Sequence, residues 1–170
     1  MKPEEFDEAA EHWIKKDADN VKMGNDELKK EAEAYINSKN VCALATGSGD
    51  FIRCTPIEYT YHEDAFWMFS EGGLKFRGLK DNKNVCLAIY DPYHGFNSLK
   101  GMQVSGTALI VEPFSEEYVK AAEFKKIPLE ALKKLDPPMN LIKVIPEEIE
   151  FLNSDFKDKG YSGRQKLTLK

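Results

Sequence analysis

Between residues 41 and 111, five short runs rich in β-branched and aromatic side chains succeed one another: VCALAT, FIRCTPIEYTY, AFWMFS, VCLAIY and MQVSGTALIV. Such runs have the length and composition of strands. Gly47, Ser48, Gly49 and Asp50 divide the first two, and His62, Glu63 and Asp64 divide the next two, so both breaks read as hairpin turns. Strands joined this closely pair antiparallel, because a parallel pair needs a crossover of roughly a dozen residues or more. An antiparallel sheet of this kind protects its edges by curling, and a small barrel is the expected result.

Helices flank the strands. Residues 3–16 and 26–39 are predicted helical, the second with Leu28, Ala32, Tyr35 and Ile36 at i, i+4, i+7 and i+8 behind an Asn25 or Asp26 cap. Residues 115–135 return to helix, with Ser115 as cap and Pro128 opening a second short helix. After Pro137 and Pro138, LIKVI and IEFL read as a last strand pair. From Asn153 the tail is polar and punctuated by glycine, yet Tyr161, Leu167 and Leu169 give it the means to dock on a neighbouring surface; a solvated, frayed end is the other reading.

Composition narrows the function. Asp and Glu number 29 against 24 Lys and Arg, a net charge of −5, which argues against a nucleic-acid partner. Any bound anion must be held by a local cluster. No apolar run approaches the ~20 residues of a membrane span, and the N-terminus mixes acids and bases where a secretory signal would be basic and then apolar. A cytoplasmic setting without membrane contact is expected. Cys42, Cys54 and Cys86 are odd in number, lack metal-ligand or CxxC spacing, and are expected to be buried thiols.

Two local departures from pattern carry the functional signal. In the second strand Phe51, Arg53, Thr55, Ile57, Tyr59 and Tyr61 share one face, and Ile52, Cys54, Pro56, Glu58 and Thr60 the other. Arg53 is a lone cation among aromatics, and on a partly buried face it needs a carboxylate or phosphate; Glu58 lies on the opposite face, and a structural ion pair stays open as the alternative. Pro56 marks an edge or a bulge, where backbone groups are free to face a ligand. The second departure follows AFWMFS, where Gly72-Gly73 leads into a short helix bearing Lys75, Arg77 and Lys80 in its first turns. Cations there oppose the helix dipole unless an anion sits among them. A phosphate satisfies both departures; a solvated basic face is the plainer reading of the second. In the loop HGFNSLKG, Asn97, Ser98 and Lys100 can hydrogen-bond a polar ligand.

The chain has no GxSxG, HExxH, P-loop or GxGxxG, and His12, His62 and His94 are far apart and read as surface imidazoles. If the protein is an enzyme, a bound cofactor must supply the chemistry. Residues 26–152 resemble the pyridoxamine 5′-phosphate oxidase-like, FMN-binding split β-barrel proteins. The likeness rests on CALATGSGDFIRCTPIEYTY, on FWMFSEGGLKFRGLKDNKNVCLAIYD, and on GMQVSGTALIVE followed by LIKVIPEEIEFL. Ser70, Lys75, Asn82 and Val85 stand at the family's strand-end hydroxyl, basic helix start, asparagine turn and Val-led strand.

The resemblance implies a mainly β (α+β) fold, a six-stranded antiparallel split β-barrel with flanking helices. It divides the chain into an N-terminal helical extension (1–25), an FMN-binding split-barrel domain (26–152) and a C-terminal tail (153–170). By the same resemblance Arg53 and Lys75 contact the FMN phosphate, the backbone of Arg53, Cys54, Thr55, Pro56 and Ile57 runs beside the isoalloxazine ring, and Phe69 and Ser70 line the ribityl phosphate. The flavin of such proteins lies between two subunits, so a homodimer is implied, with Asn97 and Lys100 donated by the partner chain. The tail departs from true pyridoxamine phosphate oxidases: it offers only Arg164, and both tryptophans lie elsewhere, at Trp13 and Trp67. Gly101 replaces a flavin-contacting glutamine. The nearer likeness is to flavin reductases and nitroimidazole-resistance-type proteins, which implies an oxidoreductase passing electrons from a nicotinamide nucleotide to a small acceptor. The alternative is a non-catalytic flavin or haem binder, with His94 as the axial ligand.

Overall fold

A computed structural model describes residues 2–169. In chain order the elements are α1 (Pro3–Asp17), α2 (Asn25–Asn37), β1 (Val41–Ser48), β2 (Phe51–Glu58), β3 (Thr60–His62), β4 (Ala65–Ser70), α3 (Lys75–Asp81) and β5 (Asn84–Tyr90). Then follow β6 (Lys100–Val111), α4 (Glu116–Phe124), α5 (Leu129–Leu132), β7 (Asn140–Asn153) and β8 (Arg164–Thr168). One antiparallel sheet runs in the order β2-β1-β5-β6-β7-β4-β3, and β8 pairs with the C-terminal half of β7.

The sheet holds eight strands among the described residues, where six were expected. FIRCTPIEYTY is two strands, because the chain leaves the ladder at Tyr59. The Tyr59 N–H donates to the Asn40 carbonyl at 2.8 Å, while its ring enters the core and its hydroxyl donates to the Ile36 carbonyl at 2.7 Å. β2 and β3, one residue apart in the chain, therefore lie on opposite edges of the sheet. Only a curled sheet brings its two edges so close, and Tyr59 is the corner at which the barrel closes.

LIKVI and IEFL, expected as a pair, form the single strand β7. Pro146 has no N–H for the ladder, and the register shifts opposite Ser105 and Gly106. Such a bulge absorbs a proline without ending the strand. Gly106 is needed there, since a Cβ would lie 2.3 Å from the Ile145 carbonyl oxygen. The tail supplies β8, with Gln165 and Leu167 facing inward between half-buried Arg164 and exposed Lys166 and Thr168, and Tyr161 and Leu169 packing on the same core. The docked reading of the tail holds and the frayed one does not. Gln165 Oε1 accepts from the Met23 N–H at 3.0 Å and Nε2 donates to the Val21 carbonyl at 3.0 Å, which ties β8 to the segment before α2.

Two apolar clusters result. The larger fills the barrel and takes in the buried face of α2, namely Leu28, Ala32, Tyr35 and Ile36. The smaller lies under α4 and α5, around Trp67, Tyr118, Leu132 and Leu141. β4 is buried on both faces because the two clusters meet across it. Cys42 is buried as expected, but Cys86 is half-buried and Cys54 exposed, because the even-numbered side of β2 faces away from the barrel. Among the described residues no helix is long and apolar enough to cross a membrane.

Candidate functional site

At the edge strand β2 the sheet opens into a cleft of about 600 Å³. Thr55, Pro56 and Ile57 of β2 form one wall, Phe69 and Ser70 at the end of β4 the other, and Gly72, Gly73 and Lys75 close one end. Each wall has a local cause. β2 lies at an edge, so half its backbone groups have no ladder partner and Pro56 is tolerated. Beyond β4 the turn is held by Ser70, whose Oγ accepts from the Gly72 N–H at 3.2 Å, and by Asn140, whose side-chain amide donates to the Ser70 carbonyl at 3.2 Å. Gly73, at φ +105°, adopts a backbone conformation that side chains rarely allow.

α3 is pressed directly onto β1. A Cβ on Gly78 would meet Thr46 Oγ1 at 2.8 Å and the Gly47 nitrogen at 2.9 Å, so only glycine permits the approach. At the far end of the helix Asn82 Nδ2 donates to the Gly47 carbonyl at 2.8 Å, and Asn82 Oδ1 accepts from the Asn84 N–H at 3.0 Å. These contacts fix where Lys75 stands.

Lys75 is only 7% exposed, and its ammonium donates to the Gly72 carbonyl. Among the described residues it forms no ion pair. Burial lowers its pKa, and the nearby charge of Arg53 lowers it further, as happens when two cations share a site without an acid. Arg53 is exposed, not half-buried as its strand position suggests, and Lys75 is the buried cation of the pair. Arg53 likewise has no ion pair among the described residues. The donor set fits a phosphate monoester: two neighbouring cations, neither in an ion pair among the described residues, beside a glycine turn where a Cβ on Gly73 would lie 3.6 Å from the ammonium, with Glu71 the one carboxylate on the rim that no ion pair occupies among the described residues.

Six of the ten expected residues line this cleft: Thr55, Pro56, Ile57, Phe69, Ser70 and Lys75. Arg53 stands beside it, and Cys54 turns to the outer face of β2. Asn97 is exposed in the turn Phe96–Ser98, and Lys100 pairs with Asp155 at 2.7 Å. Lys100 belongs to a second cavity of about 310 Å³ between β5, β6 and β7, which one chain does not join to the first. That cavity, with Tyr90, Tyr93, Glu150 and Arg164 on its walls, was not foreseen. Its residues come from four segments of chain, one of them the unrecognised β8. Glu58 and Glu71 also border the cleft, and Glu58 is taken by Lys125 at 2.8 Å.

The family model of pyridoxamine 5′-phosphate oxidase matches residues 28–153, which include β1 to β7 and the whole cleft. The chain belongs to this family. Solved structures agree on the fold. A FAD-binding protein from Mesorhizobium loti is 16% identical, with a TM-score of 0.58 over 71% of this chain and 89% of its own. HutZ, a haem storage protein from Vibrio cholerae, is 17% identical, with a TM-score of 0.58 over 71% and 90%. A Listeria innocua protein designated a pyridoxamine 5′-phosphate oxidase is 23% identical, with a TM-score of 0.58 over 74% and 98%. At these identities the likeness is one of fold alone. No curated protein matches the chain.

Proposed function

We propose that this chain is a cytoplasmic, homodimeric FMN-dependent oxidoreductase that passes electrons from a nicotinamide nucleotide to a small acceptor. The observation that carries the reading is Lys75, a buried lysine beside Arg53 that forms no ion pair among the described residues. A cation drawn out of water without a counter-ion destabilises the fold, and an anionic ligand removes that cost. Bound FMN supplies hydride and electron transfer at its ring. The chain supplies the rest. Arg53 and Lys75 neutralise the phosphate, the free edge of β2 from Arg53 to Ile57 orients the ring, and Phe69 and Ser70 border the ribityl arm.

Support for the dimer comes from apolar side chains left in solvent. Ile52 is 82% exposed on β2, and Tyr90, Tyr93 and Phe96 are exposed around the second cavity. Exposed apolar surface on this scale marks a contact face. In the dimer the turn carrying Asn97 and the start of β6 at Lys100 reach the partner's cleft. Three free thiols suit a reducing compartment.

The test is the absorbance of protein loaded with FMN, freed of excess cofactor and mixed anaerobically with NADH or NADPH. Retained flavin that bleaches is the expected result; failure to retain flavin overturns the reading. One observation favours a haem-binding alternative: His94 is exposed in the loop beside the second cavity, next to Pro92 and Tyr93. HutZ, the haem storage protein, shares the fold. A haem titration whose spectrum changes on His94→Ala supports that alternative, and an unchanged spectrum removes it.

A further inference from the structure

α3 carries cations that the flavin site does not use. Lys75 lines the cleft beside Arg53, whereas Arg77 and Lys80, three residues apart, share an exposed side of the helix. Neither forms an ion pair among the described residues. Elsewhere in this chain, whose acids outnumber its bases by 29 to 24, carboxylates take up Lys29, Lys39, Lys120, Lys143 and Lys166. Asp50, next to Phe51, and Asp81, next to Lys80, are the adjacent acids, and neither pairs with these two cations.

Arg77 has a fixed neighbour instead. Its guanidinium carbon lies 5.4 Å from the centroid of the Phe51 ring, which is half-buried and so keeps part of its surface open. Phe51 pairs with Ser48 at the hairpin end of β2, and the hydrogen bond from Asn82 to the Gly47 carbonyl brings the end of α3 to the same hairpin. Phe51, Arg53, Thr55 and Ile57 share the side of β2 that faces α3, where Arg77 meets Phe51 and Lys75 meets Arg53. One strip therefore runs roughly 20 Å along β2, from Ile57 in the cleft, past the phosphate pair Arg53 and Lys75, to Phe51, Arg77 and Lys80.

We propose that the hairpin end of this strip seats the adenosine end of the nicotinamide donor and selects the donor that carries a 2′-phosphate, NADPH. The inference rests on the flavin oxidoreductase reading and deepens it. In that reading the flavin ring lies along β2 towards Ile57, so a donor that meets the ring with its nicotinamide and runs back along the strand arrives at Phe51. The open part of the Phe51 ring offers a surface for the adenine. A guanidinium both stacks on flat rings and forks onto phosphate oxygens, and Lys80 on the same side of α3 adds a second charge for the dianionic monoester. A ribose that keeps its 2′-hydroxyl is met by a carboxylate that accepts its proton, and a 2′-phosphate by an arginine. The exposed groups here are of the second kind.

The test titrates FMN-loaded protein calorimetrically with adenosine 2′,5′-bisphosphate and with AMP, which differ by the 2′-phosphate alone. The wild type is expected to bind the bisphosphate roughly tenfold tighter or more, as a charged hydrogen bond allows. Arg77→Gln/Lys80→Gln changes exposed side chains only, and is expected to abolish that preference and to raise KM for NADPH but not for NADH, with flavin retention unchanged. Phe51→Leu should weaken both nucleotides alike and leave their ratio intact. Equal affinity for the two nucleotides in the wild type, or a preference that survives in the double variant, would overturn the inference. So would FAD held more tightly than FMN with the advantage lost in the double variant, because the strip would then belong to the cofactor's own adenylyl group. Retained flavin is read separately by absorbance. Protein that holds no flavin overturns the underlying reading and this inference with it, whereas protein that holds flavin and does not tell the nucleotides apart overturns this inference alone.

Discussion

Lys75 concentrates the functional argument into one side chain. Its charge is a burden to the empty protein and an asset to the loaded one, so Lys75→Met is expected to have opposite effects on the two. The variant should melt at a higher temperature than the wild type without ligand, and should bind FMN more weakly by about 1.5–3 kcal/mol, the worth of a charged hydrogen bond. Differential scanning fluorimetry and flavin titration check the two halves separately. The pH dependence follows from the lowered pKa. With the folded pKa below the unfolded one, the unfolded chain binds more protons between the two values, so stability without ligand rises with pH as pH climbs towards 10.5. FMN affinity runs the other way and falls over the same window as the ammonium is lost. A stability curve that declines there would contradict the assignment. Arg53 and Lys75 were both legible in the sequence as cations out of place. That Arg53 is exposed and Lys75 buried was not, because exposure beside a sheet edge depends on which strand is outermost, and the order of strands is a long-range property.

At the scale of elements, the hairpins were legible because their turns carry Gly, Ser and Asp signals, whereas the break at Tyr59 was not. The alternation of β2 continues through Tyr59 into β3, so nothing local announces that the ring has left the ladder for the Ile36 carbonyl. β8 was missed for the converse reason. A five-residue edge strand needs only two inward side chains, and Gln165 and Leu167 among polar neighbours look like a loop. Pro146 looked like a strand end because the bulge that accommodates it lies opposite Ser105 and Gly106, some forty residues away in the chain. The junction of α3 with β1 gives a direct check. Gly78→Ala puts a methyl group within 2.8 Å of Thr46 Oγ1 and within 2.9 Å of the Gly47 nitrogen. It is expected to cost about 1–3 kcal/mol in urea unfolding and to lower FMN affinity, since the helix that carries Lys75 must shift. A Gly78→Ala protein with unchanged stability and affinity would mean that α3 is not clamped where it is described.

The whole molecule has a sheet with two edges drawn together at Tyr59 and an outer side of β2 that no element among the described residues covers. Ile52 at 82% exposure is the clearest sign of that face. Ile52→Glu buries nothing in the monomer and is expected to shift light scattering from dimer to monomer, with loss of flavin and little change in secondary structure. A dimer that survives this change would place the contact elsewhere. The family relationship fixes the fold and leaves the chemistry to the cleft, and within the cleft the central claim is that the cations hold a phosphate. The most direct measurement compares FMN with riboflavin, the same ring and arm without the phosphate, by fluorescence titration of wild type and Lys75→Met. FMN is expected to bind the wild type roughly a hundredfold tighter than riboflavin, as two charged hydrogen bonds allow, and Lys75→Met should remove most of that preference. Equal affinity for the two flavins would contradict it.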